Sequence, residues 1–344
     1  MRWAFKKGGS EPTHKVLVTG TRGKSSIVRL LQTALVNAGF QSHARITGVV
    51  PRHITATGTR VISRSSGAHI EELRWWLKQL PASSQAVVVE NSAITPEFQH
   101  LAGKWLKPDI TILSNTVADH QESWGPDHHC AANILMGGVP RGGRLILPAN
   151  CKADSHLAEL IRQRQCEAVF ADPAGDNGQE YHAINLGLAI AAISQLGLAT
   201  GDALKAMREM PKDPYDFDVI HCHGAELAMA FSANDIISTR SLFKSLQWEE
   251  TDTRLIYNHR RDRPARLKSF IDWLKLPDWR EVIMIGDRPP TKLGSCFYQR
   301  VRNKADLIKL LSPGERFFGC GNIAGIPVSL INKDQQSDCL TDTH

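Results

Sequence analysis

The sequence predicts an α/β protein, a mostly parallel sheet covered by helices, in two domains. Short β-branched strands alternate with amphipathic helices along most of the chain, the pattern of repeated strand–helix–strand units. The first unit is sharply punctuated. Residues 16–18 read as a buried strand, Gly20 and Gly23 bracket a tight loop, and Ile27, Leu30, Leu31, Ala34 and Ala38 recur at helical spacing until Gly39 stops the run. A length of 344 residues accommodates about two domains of ordinary size.

After this unit, residues 44–62 alternate Thr, Arg, Val, Ile and Gly, as strands or an ordered loop near the first turn. Residues 70–80 form a helix with Leu73, Trp76, Leu77 and Leu80 on one side. A strand over 86–89 ends at Glu90, a short helix spans 98–105, and a strand over 110–113 ends at Ser114 and Asn115. Residues 144–147 and 168–170 are further strands, with a helix over 157–164 between them. The apolar stretch 183–199 holds Asn185, Ser194, Gln195 and two glycines, so it reads as a buried helix rather than a membrane span. Residues 210–214 carry two prolines and mark a linker. Beyond it come strands over 227–231, 254–257, 281–285 and 316–318, with helices over 238–246, 265–274 and 304–311. The expected domains are residues 1–214 and a smaller, Rossmann-like 215–344, with a polar, frayed tail from about Lys333.

Composition narrows the class. A hydrophobic content of 42%, with 22% charged residues, is that of a soluble globular protein. The net charge of +6 fits solubility or a pocket for anionic substrates; with no RNA- or DNA-binding motif beside it, nucleic acid is not an expected partner. Seven cysteines without a C-x-x-C pair fit a reducing cytoplasm, and the N-terminus has no signal-peptide core.

The most informative stretch is VLVTGTRGKSS, residues 16–26. Strand, glycine loop and helix N-terminus together make an anion site: backbone N–H groups converge on phosphate oxygens, the helix dipole adds positive potential and Lys24 supplies a full charge. Gly20, Thr21, Arg22, Gly23, Lys24, Ser25 and Ser26 are the candidate phosphate binders, and Ser25 stands where a P-loop hydroxyl ligates Mg²⁺. The full Walker spacing is shortened, because Val18 occupies the position of its first glycine. In a parallel sheet, ligands sit at the strand C-termini, so Ser25, Glu90 and His120 are expected at one edge.

VTGTRGKSS, VVVENSAITPEFQ and LSNTVADHQESWGP, in that order, resemble the Mur ligase superfamily, which joins amino acids to carboxylates using ATP. INLGLAIAAISQLGL, FSANDIIST, YNHRRDRPARLKSF and GCGNIAG extend the resemblance almost end to end, and the Arg of GTRGKSS favours the polyglutamate branch, since the cell-wall ligases usually carry Asn there. The resemblance implies a central P-loop ATPase domain followed by a Rossmann-like domain, the active site lying between them. It implies ATP and Mg²⁺ as cofactors, with Lys24, Glu90, His120 and Arg263 as catalytic residues. Ser25, Glu90 and His120 are the implied magnesium ligands; for His120, an unusual Mg²⁺ ligand, the assignment rests on the family match alone. Asn185 is implied to face the nucleotide base, and Asn234 and Asp235 to contact the nucleotide.

Read without the resemblance, a glutamate placed like Glu90 is more often a solvated strand end or helix cap than a metal ligand, Asp119-His120 could be a hydrogen-bonded turn, Asn185 a buried polar contact and residues 260–263 a solvated basic surface. The chain also departs from the family. The P-loop starts near residue 20, which leaves no room for a UDP-binding N-terminal domain, and the aspartate-led D-x-A-H-N-P motif is replaced by residues 231–236, FSANDI. No counterpart of a carbamylated lysine is identified, no N-terminal membrane anchor precedes the loop, and ENSAIT replaces E-C-M-A-x-N. Two histidine clusters, His128-His129-Cys130 and His221-Cys222-His223, lack a second ligand pair at zinc spacing, so no structural zinc is expected.

The expected function is an ATP-dependent amide ligase that activates a carboxylate as an acyl phosphate and joins it to an amino-acid amine, through γ-linked polymerisation of glutamate. Its expected partners are ATP, glutamate, the growing polymer and a membrane-protein subunit that would hold it at the inner face of the membrane; a homo-oligomer is also compatible. Two alternatives stand beside it: a folylpolyglutamate-type or other free-standing amino-acid ligase, and a non-catalytic ATP-binding subunit of a membrane assembly.

Overall fold

A computed structural model describes residues 11–48, 50–63, 68–118, 120–175, 180–233, 235–290, 293–294 and 296–331. Asp119, Asn234 and the tail from Lys333 lie outside the described residues. The chain divides into two compact units, Met1–Met210 and Pro211–His344.

The first unit holds strands β1 (His14–Thr19), β2 (Ser42–Ile46), β3 (Arg52–Thr55), β4 (Gly58–Val61), β5 (Ala86–Glu90), β6 (Ile110–Leu113), β7 (Arg144–Pro148) and β8 (Glu167–Ala171). They form one sheet in the order β4-β3-β2-β5-β1-β6-β7-β8. Six strands run parallel, and only β3 and β4 turn antiparallel at the edge, which is how the 44–62 stretch resolves. The parallel strands read as continuous apolar runs because helices cover both faces. Val16 and Val18 face one core with Ile27, Leu31, Leu188 and Ala192, while Leu17 faces the other with Leu73, Leu77 and Leu106. The register places Val18 opposite Glu90 and Thr19 opposite Leu113, so the ends of β1, β5 and β6 come together.

The small-residue helix is Glu180–Gln195, with Leu188, Ala189 and Ala192 fully buried. No helix among the described residues is long and apolar enough to cross a membrane. Among the described residues, several helices escaped the sequence reading, the longest being His128–Met136 and Thr200–Arg208. The second buries only Ala203 and Met207, too few apolar positions for periodicity to register.

The second unit holds β9 (Val219–Cys222), β10 (Ala225–Met229), β11 (Thr253–His259), β12 (Glu281–Gly286), β13 (Phe297–Tyr298) and β14 (Arg316–Cys320), ordered β13-β12-β11-β14-β10-β9. All pairings are parallel except β9 with β10. That pair is a hairpin closed by His223 and Gly224, both at positive φ (54° and 71°), as a two-residue turn matching strand twist requires. His223 therefore lies in the turn and Cys222 is buried, so the 221–223 cluster does not converge on a common point. Phe243, Trp273, Trp279 and Phe318 pack edge to face at the centre of this unit.

Candidate active site

The site is built from β1 outward. After Thr19 the backbone enters a region closed to side chains: Gly20 has φ +126°, and a Cβ there would lie 2.1 Å from Ser114 Oγ. Ser114 and Asn115, at the end of β6, clamp the loop from below. The Ser114 hydroxyl donates to the Arg22 carbonyl (2.5 Å), Asn115 Nδ2 donates to the same oxygen (3.1 Å), and the Thr21 hydroxyl donates to Asn115 Oδ1. Gly23, at φ +78°, then serves as the N-cap of the helix Lys24–Asn37. No side chain caps this helix, so its first-turn N–H groups are available to an anion.

Lys24 folds back over the loop, its Nζ donating to the Gly20 carbonyl (2.6 Å) and to that of Thr21 (3.3 Å). The ammonium is thereby held over the turn where phosphate oxygens would gather. Ser25 and Ser26 are half-buried in the first helical turn. Ser25 Oγ donates to Glu90 Oε2 at 2.9 Å, and the same oxygen accepts the Thr47 N–H at 3.0 Å. Glu90 is only 4% exposed. A hydroxyl and a carboxylate from two adjacent strand ends thus share one point beneath a helix N-terminus. Two hard oxygen donors in that setting suit Mg²⁺, which takes oxygen ligands and keeps several waters.

Asn185 also reaches the loop: a Cβ on Gly23 would sit 2.5 Å from its Oδ1. His120 follows β6 at φ +47° and opens the short helix Gln121–Trp124, its ring 4.9 Å from that of Trp124. Trp124 Nε1 donates to the Ile94 carbonyl (2.5 Å), tying the His120 segment to the segment that follows Glu90.

Arg263 and Asp235 belong to the second unit. Asp235 caps the helix Ile236–Ser245, accepting the Ser238 N–H at 2.8 Å. Arg263 is half-buried and precedes the helix Pro264–Leu274. Beside it Arg260 grips Asp262 through two hydrogen bonds (2.9 and 2.6 Å), and that pairing holds the Asp262 carboxyl below its ordinary range despite partial burial. Thr47, Ser114 and Asn115 carried no assignment in the sequence. Their signal is topological: each follows a strand lying next to or one removed from β1, at the edge where the loop emerges.

Known families match most of the chain. The Mur ligase middle domain matches residues 18–189, and the poly-gamma-glutamate synthase CapB C-terminal domain matches 218–337. PGA synthase CapB of Bacillus subtilis (strain 168) is 26% identical, covering 93% of this chain and 89% of that protein. Capsule biosynthesis protein CapB of Bacillus anthracis is 25% identical over 79% of this chain and 63% of its own length. Among solved structures, an FPGS–AMPPCP complex superposes with a TM-score of 0.66 at 12% identity, covering 91% of this chain and 90% of that one. A bifunctional folylpolyglutamate synthase/dihydrofolate synthase from Yersinia pestis, complexed with AMPPNP and Mn ion, gives 0.65 at 14% identity, covering 91% and 87%. At such identities the structural likeness speaks for the fold.

Proposed function

The chain belongs to the Mur ligase family, and from that premise we propose that it is an ATP-dependent amide ligase that makes poly-γ-glutamate. The observation that carries the reading is the Ser25–Glu90 contact beneath the uncapped helix of the glycine loop. The polyglutamate branch is supported by the CapB C-terminal domain match and by the two CapB relatives.

In this reading the triphosphate of ATP lies along residues 20–26, its oxygens taking N–H groups of the loop and first helical turn. Lys24 turns from the Gly20 and Thr21 carbonyls toward the β- and γ-phosphates. Ser25 and Glu90 are the oxygen ligands of a magnesium ion, with His120 as ligand to a second. Bound there, magnesium would neutralise charge building on the phosphate oxygens. The γ-carboxylate of glutamate, or of the growing chain, attacks the γ-phosphorus and ADP leaves, giving an acyl phosphate. The amine of the next glutamate then attacks the carbonyl carbon, and phosphate leaves from the tetrahedral intermediate. Arg263 is assigned to a substrate carboxylate or phosphate, which guanidinium suits by bidentate bonding. Asn185, Asn234 and Asp235 are assigned to the nucleotide, and the physiological polymerase includes a membrane-protein subunit.

The test is trapping of the intermediate. Chain supplied with MgATP, glutamate and hydroxylamine should release ADP in a glutamate-dependent manner and yield glutamyl hydroxamate. ATP turnover indifferent to glutamate, or ADP without hydroxamate, would overturn the reading.

A further inference from the structure

Outside the nucleotide site, the described residues hold a cluster of metal-ligating groups on the surface of the first unit. His128 and His129 open the helix His128–Met136, and Asp154 caps the helix Ser155–Arg164. Ligand atoms of these three side chains all lie within 4.8 Å of one another. A fourth candidate is His156, whose ring centroid is 4.6 Å from that of His129, the His128 and His129 rings being 4.1 Å apart. The sequence offered no second ligand pair beside residues 128–130. The fold supplies one from a segment some 25 positions later, because both helices start at the same edge of the parallel sheet, after β6 and β7.

The chemistry of the cluster is distinct from that of the loop site. His128 and His129 are exposed, and neither makes a side-chain hydrogen bond among the described residues. Asp154 spends one carboxylate oxygen on the Leu157 N–H (3.0 Å) and has the other to offer. His156 Nε2 lies 3.1 Å from Asn133 Oδ1, a contact that one ring rotation exchanges for a metal bond. Bonds of 2.0–2.1 Å in a tetrahedral site put ligand atoms about 3.4 Å apart, which small χ rotations of exposed side chains reach. A cation at two helix N-termini meets an adverse dipole, and the cap carboxylates of Asp127 and Asp154 offset it. Imidazole-rich sites select zinc and its neighbours over magnesium.

We propose that His128, His129 and Asp154 bind a divalent transition metal of the zinc class, with His156 as the fourth ligand. The ion pins together the starts of two crossover helices, next to the segment that carries His120. This site is independent of the ligase reading.

The test uses tag-free full chain, stripped with chelator and titrated in excess Mg²⁺, with Zn²⁺ by calorimetry and Co²⁺ by visible absorption. One equivalent should bind, raise Tm and be removed by EDTA. His128→Ala and His129→Ala should each weaken binding roughly 100-fold or more, beyond the 10- to 100-fold that loss of a merely supporting group costs. Asp154→Asn, which keeps the helix cap, should weaken it too, while Glu90→Gln leaves it unchanged. Absence of binding, binding that survives both histidine substitutions, or binding lost only in Glu90→Gln would overturn the proposal.

Discussion

Replacing Glu90 by glutamine separates the chemical role of this carboxylate from its place in the fold. Glu90 is 4% exposed, and its Oε2 accepts from Ser25 Oγ and from the Thr47 N–H. Glutamine is isosteric and keeps one acceptor oxygen. The change converts two charge-assisted hydrogen bonds to neutral ones, a loss of about 1 kcal/mol each before the lighter desolvation of an amide is credited. Glu90→Gln should therefore cost at most about 2 kcal/mol, a fall in Tm of roughly 4–8 °C for a unit of this size. Glu90→Ala removes the acceptor altogether and strands both donors, so it should cost about 2–5 kcal/mol. Activity should not follow that ranking. Both variants lose the charged oxygen ligand that would hold magnesium against the developing phosphate charge, and removal of one preorganised electrostatic group costs about 10²–10³ in rate. Glutamate-dependent ADP release, read beside thermal melts, is the assay. A glutamine variant within threefold of the native rate, or one as unstable as the alanine variant, would refute the assignment.

Further predictions concern the loop and the sheet. Gly23→Ala meets a positive φ and the Asn185 side chain at 2.5 Å; it should lose about 1–2 kcal/mol to backbone strain alone, and Asn185→Ala in the same chain should restore the clash component but not the strain. Lys24→Ala should cost only about 1 kcal/mol, for the hydrogen bonds to Gly20 and Thr21, yet abolish ADP formation. Arg45 pairs with Glu72 at 2.9 Å, both side chains largely buried; Arg45→Ala should destabilise by about 3–5 kcal/mol, and the Met/Met double variant by much less. His53 is held down to about 4 by burial and by the neighbouring His43 and Arg60. An unfolded histidine protonates near 6.5, so the unfolded chain binds more protons between these values; stability is complete above pH 6.5 and falls as pH drops toward 4. The gap amounts to at most about 3 kcal/mol, which half-exposure reduces to about 1, and denaturant midpoints of His53→Phe should show a flatter slope between pH 7 and 5.

The parts of this site legible in the sequence were those with local causes. The β1–loop–helix unit announces itself through a buried strand, two glycines at positive φ and a 3.6-residue repeat, all within 25 positions. Glu90 was legible as a strand end, and parallel order carries a strand end to the loop. What the chain did not reveal are groups whose neighbours are set by sheet order alone. Ser114 and Asn115 lie more than 90 positions from the loop they clamp. Thr47 contributes a backbone N–H, which no side-chain motif can advertise. The helix His128–Met136 begins with two histidines and a cysteine, so its apolar face starts late. Its contact with Asp154 and His156 exists only because two crossover helices start at one edge.

A crystal of the chain grown with a non-hydrolysable ATP analogue and Mn²⁺, whose anomalous signal locates the ion, bears most directly on the account. The triphosphate is expected against the N–H groups of residues 20–26, with manganese bonded to Ser25 Oγ and a Glu90 carboxylate oxygen. An analogue bound away from that loop, or manganese out of reach of Glu90, would contradict it.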